Sequence, residues 1–217
     1  LTVYGELDIS IISQKPKDRL PIETIIWSPN SRAQLYQIID DEIKDGRQVF
    51  VVCPLIDDSE SSEKKSVTAE VARLRKGPFK HRSIETLHGK MKDEEKSAVM
   101  ERFASGAVDI LVSTTVIEVG IDIPNASVML IEGADQFGLA QLHQLRGRVG
   151  RGAHQGYCYL VPSKSEKPSK RLRAMEHTTD GFKLAEMDLE LRGPGAIYGS
   201  RQHGKLDLKI ANITDTK

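Results

Sequence analysis

Long apolar runs are missing from this chain. No stretch approaches the ~20 residues of a membrane-crossing helix, and no signal peptide opens it, so no membrane partner is expected. Cysteine is scarce: Cys53 and Cys158 are the only two. Their spacing suits neither a zinc site nor a disulfide framework, no other metal site is expected, and both lie inside strand-like apolar runs. They read as core thiols in a reducing cytoplasm. An excess of one charge is also missing, because 31 Lys and Arg balance 31 Asp and Glu. That balance excludes a uniformly basic coat for nucleic acid but leaves one local binding surface open. The chain begins at Leu1, without an initiator Met and directly in strand-like sequence (Val3, Leu7, Ile9, Ile11), so it is expected to be part of something longer.

What is there is enough for a core, with 217 residues of which 39% are hydrophobic. From Thr24 onward, short β-branched runs alternate with amphipathic helical patterns. The expected strands are Ile25–Trp27, Val49–Cys53, Ile84–Leu87, Ile110–Ser113, Val128–Ile131 and Tyr157–Val161. Several are apolar at consecutive positions, as strands buried on both faces of a parallel sheet are. Ser28 and Pro29 open a helix with Leu35, Ile38, Ile39 and Ile43 as its buried stripe and Gly46 as its stop. Asp93 is expected to cap another, with Val99 and Phe103 on one face and Gly106 at its end. The fold class is therefore α/β, a parallel sheet sandwiched by helices. The acidic stretch Asp57–Glu63 and the basic stretch Lys164–Arg173 read as solvated connections. Strand patterning ends after Pro162, and helical patterns at Lys170–His177 and Phe182–Leu191 lead into a Gly-rich tail. This divides the chain near Ser163, into residues 1–163 with a lead-in over 1–23, and a helical appendage over 164–217.

Three segments carry chemistry. In Gln141–Gly152, Gln144, Arg148 and Arg151 stand four and three residues apart, so one helix end is expected to deliver them to one side. Two guanidiniums beside glycines suit multiply charged phosphate oxygens. In Asp109–Pro124, an apolar strand runs into Ser113, Thr114 and Thr115 at a carboxyl end, where open α/β sheets place ligands. Hydroxyls and free amides there suit a nucleic-acid phosphate, and Gly120 and Asp122 follow in a loop where a carboxylate reaches a ribose or an arginine. Leu87–Met91 ends a strand with His88, a glycine and a cation; a plain turn explains it as well.

In order, the strand Val49–Pro54, then His88–Gly89, Ser113–Asp122 and Gln144–Arg151 resemble motifs IV, IVa, V and VI of the second RecA-like lobe of superfamily two helicases, over roughly Ile22 to Val161. The resemblance implies that Arg148 and Arg151 are arginine fingers for ATP held on another lobe, with Gln144 positioning around the transferred phosphoryl. It implies that Gly120 and Asp122 serve the nucleotide, and that Thr114, Thr115 and His88 touch DNA. No G-x-x-x-x-G-K-[ST] phosphate loop and no D-E-x-H stretch is present, so ATP with Mg is expected to be bound mainly by a missing first lobe. Asp180–Gly195 and Gly199–Gly204 resemble the translocation motif of the RecG and Mfd families. That likeness implies a helical hairpin and returning loop in which Arg192 and Gln202 couple hydrolysis to movement on duplex DNA. The string Arg192–Gly195 and the opening Val3–Asp8 are similar to the RecG family, whereas Ala196 and His203 stand where glutamate and serine are usual. As implied partners, branched or duplex DNA joins the N-terminal RecA-like lobe and a DNA-binding wedge domain of the same protein. The implied setting is the bacterial cytoplasm, at the nucleoid, in recombination and repair at stalled forks and Holliday junctions. Two rivals stand beside this reading, the corresponding lobe of Mfd and a non-catalytic nucleic-acid-binding module that keeps a helicase fold.

Overall fold

The computed structural model describes residues 20–54, 60–114, 123–164 and 167–192. Its strands are β1 (Glu23–Ile26), β2 (Gln48–Val52), β3 (Ile84–Leu87), β4 (Ile110–Ser113), β5 (Ala126–Glu132) and β6 (Tyr157–Val161). Its helices are α1 (Arg32–Lys44), α2 (Glu60–Lys76), α3 (Asp93–Ala104), α4 (Leu139–Arg146), α5 (Lys170–His177) and α6 (Gly181–Arg192). The strands form one sheet in the order β1-β6-β5-β2-β4-β3, with every pairing among them parallel. All six expected strands are present. The central ones bury every residue on both faces, which is why their sequences are unbroken apolar runs rather than alternating ones.

Two apolar clusters result, one on each face. Phe50, Phe103, Leu111, Met129, Ile131 and Leu160 centre the first, which continues into Leu172, Met175 and Leu184 of α5 and α6. Val51, Ile110, Leu130, Leu35, Ile39 and Leu74 centre the second, under α1 and α2. Each large side chain fully buried this way stabilises the fold by roughly 1.5–3 kcal/mol before entropy is counted.

Local sequence explains much of the helices, with four corrections. Ser28 Oγ accepts from Asn30 N at 3.4 Å and Pro29 starts a 3₁₀ turn, so α1 begins only at Arg32. Ile38 is not on the buried stripe; it is 38% exposed, and Tyr36 is buried in its place beside Leu35, Ile39 and Ile43. The cap of α3 is Lys92, not Asp93, because Glu95 Oε2 reaches back to accept from Lys92 N at 3.1 Å. The acidic stretch expected as a connection is helical from Glu60 onward, as the first turn of α2; residues 57–59 lie outside the described part. Its helical face is set further along, where Val67, Val71 and Leu74 recur at helical spacing and are all buried. Gly46 and Gly106, both at positive φ, follow the ends of α1 and α3 as expected.

Candidate functional site

The amino-terminal edge of the sheet carries the arginine segment. Helix α4 ends at Arg146, so Arg148 and Arg151 lie in the turn after it and not on the helix itself. That turn is held by Gly147 N donating to His143 O at 3.1 Å and Arg148 N donating to Leu145 O at 3.0 Å. Gln144 is exposed on α4, Arg148 is half-buried and Arg151 is exposed, with its Nε 3.3 Å from Gly147 O.

Glycines seat this turn against the start of β5. Gly150 takes φ +63 and its N–H donates to Ala126 O at 3.2 Å. A Cβ on Gly152 would be driven into the Pro124 carbonyl oxygen. The Arg148–Arg151 loop is therefore packed onto Pro124–Ala126, a segment that starts two residues after Asp122 in sequence. Only residues without a Cβ allow that approach. Gly120, Asp122, Thr115 and Gln202 lie outside the described residues, as does the side chain of Arg192.

Arg146, which sequence reasoning passed over, is the buried arginine of the segment, 3% exposed. Its Nη1 donates to Met175 O at 2.8 Å, Thr178 O at 2.9 Å and Thr24 Oγ1 at 3.3 Å, and its Nη2 lies 3.0 Å from His143 Nδ1. Burial pulls its pKa below the ordinary arginine value. Since a guanidinium only donates, His143 Nδ1 accepts. One side chain thus ties the arginine helix to β1 and to the carboxyl end of α5. On the same side of α4, a Cβ on Gly181 would come within 2.8 Å of His143 Nε2, so α6 also starts against this helix. The only sequence signal for Arg146 was its place two and five residues before the candidate arginines.

The carboxyl-terminal edge carries the other predicted residues. The register aligns Val52 and Leu87 with Ser113, so Cys53, His88 and Thr114 follow on adjacent strands β2, β3 and β4. Cys53 N donates to Ser113 O at 2.9 Å. Thr114 is fully buried, and His88 is half-buried with its Nδ1 enclosed and lacking a protein partner. Beside His88 a cleft of about 580 Å³ is lined by Lys90, Met91, Glu95, Val99 and Arg102. The expected site residues therefore divide between two opposite edges: Gln144, Arg148 and Arg151 at one, His88 and Thr114 at the other.

A charge cluster around the buried Glu132 at the carboxyl edge was also missed. Glu132 at the end of β5 accepts from Arg32 at 2.5 Å, Arg73 at 3.3 Å and Tyr36 at 3.5 Å, and Arg73 also pairs with Glu70. Burial raises the Glu132 pKa against the pull of Arg32, and burial with the Glu132 charge raises Tyr36 to about 12. The partners are 59, 96 and 100 residues away in sequence, so no local pattern announces them. Both cysteines are buried thiols, Cys158 with its pKa raised by burial to about 12, and neither is a reactive nucleophile. Among the described residues no group of His, Cys, Asp and Glu could hold a metal ion, and no helix is long and apolar enough to cross a membrane.

Residues 30–153 match the helicase conserved C-terminal domain, and residues 178–216 match the C-terminal part of domain 3 of ATP-dependent DNA helicase RecG. The chain is 50% identical over 218 residues to the ATP-dependent DNA helicase RecG of Aquifex aeolicus, covering 98% of this chain and 27% of the relative. It is 47% identical over 216 residues to that of Synechocystis, covering 99% and 26%. In three dimensions it is similar to RecG bound to a three-way DNA junction, with TM-score 0.70 and 44% identity over 85% of this chain and 24% of that one. The chain spans about a quarter to a third of the curated relatives it matches. It belongs to the helicase conserved C-terminal domain family, and within that family it resembles RecG along nearly its whole length.

Proposed function

We propose that this chain is the second motor lobe of an ATP-dependent DNA helicase that remodels branched DNA, working in the bacterial cytoplasm at the nucleoid. The observation that carries this reading is the seating of the Arg148–Arg151 loop on Pro124–Ala126 through Gly150 and Gly152. An exposed guanidinium on a backbone braced this closely is pre-oriented, and pre-oriented donors lower the barrier to phosphoryl transfer most. The donor set suits the terminal phosphates of ATP: two arginines in the turn that follows the helix carrying Gln144. ATP, bound with Mg mainly on the first lobe, supplies the transferable phosphoryl group. On this lobe Arg148 and Arg151 hold developing charge, Gln144 positions around it, and Gly120 and Asp122 serve the nucleotide.

His88 and Thr115 are the residues assigned to DNA, His88 from the opposite edge of the sheet, where Thr114 is fully buried and supports that edge from within. The two edges let nucleotide and DNA act on one rigid body, so closing the lobes at one edge moves the other. We place the functional division near Ser163, with residues 164–217 as a coupling element that contains Arg192 and Gln202. Arg146 supports that role, because it joins the arginine helix to the carbonyls of Met175 and Thr178. The wedge domain and the first lobe of the same protein are the further partners. The test is ATP hydrolysis and strand separation by the full-length protein on three-way junctions and on linear duplex. Junction-dependent unwinding with ATP turnover is expected, and ATP-independent binding alone would overturn the proposal.

A further inference from the structure

Among the described residues β1 and β3 are the outer strands of the sheet, and each turns backbone groups away from it. In β1, Glu23 N and Trp27 N donate to Gly156 O and Leu160 O, each at 2.9 Å. Odd positions therefore face β6, and Thr24 and Ile26 point outward. In β3, Ile110 N donates to Ser83 O at 3.0 Å, so alternation turns Ile84 and Thr86 outward. Unpaired edges of this kind are templates for pairing with another chain.

Among the described residues, each edge meets a charged side chain of the matching sign. Glu176 of α5 accepts from the outward Ile26 N–H through Oε1 at 3.2 Å. Arg75 of α2 donates from Nη2 to the outward Ile84 carbonyl at 2.5 Å. A carboxylate covers a donor on one edge, and a guanidinium covers an acceptor on the other. Neither side chain is in the core: both residues are exposed, while α5 and α2 are anchored by Leu172 and Met175 and by Val71 and Leu74. The two groups so covered, an amide N–H and a carbonyl, are complementary to each other. All strands run parallel, so β1 of one copy beside β3 of another continues the same sheet in the same sense.

We propose that Glu176 and Arg75 are edge guards, and that the partner they exclude is a second copy of this chain adding its β1 edge to the β3 edge of the first. Such a contact joins two different surfaces, so it does not close on itself and grows as an open assembly. Strands of four residues make each contact short, and one hydrogen-bonded charge per edge is enough to block it. This inference does not depend on the proposed motor activity.

The test is a Glu176→Ala, Arg75→Ala double variant of the full chain. One negative and one positive charge are removed together, so net charge is unchanged and cannot cause association. Sedimentation velocity across a concentration series should show a weight-average mass about twice that of the unmodified protein or more at the upper end. Hydrogen exchange should show the Ile26 and Ile84 segments becoming slower as concentration rises. The Glu176→Gln, Arg75→Lys variant keeps an acceptor and a donor in place and should sediment like the unmodified protein. A double-alanine variant that stays at the unmodified mass would overturn the proposal. So would association without concentration-dependent protection of the two edges, or equal association by the conservative variant.

Discussion

Replacing Arg146 with Met keeps much of its volume and removes its whole set of hydrogen bonds. The side chain is 3% exposed and donates to two backbone carbonyls, a threonine hydroxyl and a histidine nitrogen. Hydrogen bonds from a charged donor contribute roughly 1.5–3 kcal/mol each, and the groups left behind lose their partner. Against that stands relief of the burial cost of the charge, a matter of several kcal/mol for an ion taken from water. The balance is a loss of about 2–4 kcal/mol, short of the simple sum of the bonds. Urea denaturation of the Arg146→Met protein measures the total, and hydrogen exchange locates it. Because Met175 O and Thr178 O belong to the carboxyl end of α5, exchange should rise there and in α4 before it rises in β2 or β4. A loss below about 0.5 kcal/mol, or an increase spread evenly over the sheet, would refute the bridging role.

Three further outcomes follow from the same structure. Asp40 is 8% exposed, and the Arg82 hydrogen bond, helped by Lys44 and His81, lowers its pKa from 3.8 to about 2. A lowered folded-state value stabilises above the unfolded pKa and is lost as pH falls through the folded one. Asp40→Asn should therefore cost about 2 kcal/mol at neutral pH and flatten the loss of stability between pH 4 and 2, which acid titration of unfolding checks. Gly152→Ala should reduce ATP turnover of the full-length protein by more than tenfold while shifting melting little, because its methyl displaces the arginine loop rather than the core; equal turnover would remove the seating argument. Gln202→Ala and Arg192→Ala should leave much of the DNA-stimulated ATPase while fork unwinding falls steeply, and parallel loss of both activities with a lower melting temperature would mean a merely structural cap.

The sheet was legible because buried parallel strands write themselves as unbroken apolar runs, as in Val49–Val52 and Ile110–Val112. The arginine loop was legible as a string, though not its place in a turn beyond α4. Helix α2 was hidden by its charged opening, even though Val67, Val71 and Leu74 hold helical spacing. Ile38 and Tyr36 show the limit of periodicity: adjacent stripes differ by one rotation, and the neighbour across the interface decides. Phe79 decides here, stacking edge-on to Tyr36 at 5.5 Å. Arg146 and Glu132 were illegible for a different reason. Their partners come from strands and helices far along the chain, so only the tertiary arrangement turns a charged residue into a buried joint.

The central claim is that this lobe supplies transition-state charge to ATP held elsewhere. It is tested most directly by measuring DNA-stimulated turnover and nucleotide affinity together in full-length protein carrying Arg151→Ala. The account predicts turnover lower by roughly 10³–10⁵-fold, with affinity weakened far less, because a finger acts mainly on charge that develops in the transition state. Near-normal turnover in that variant would contradict it.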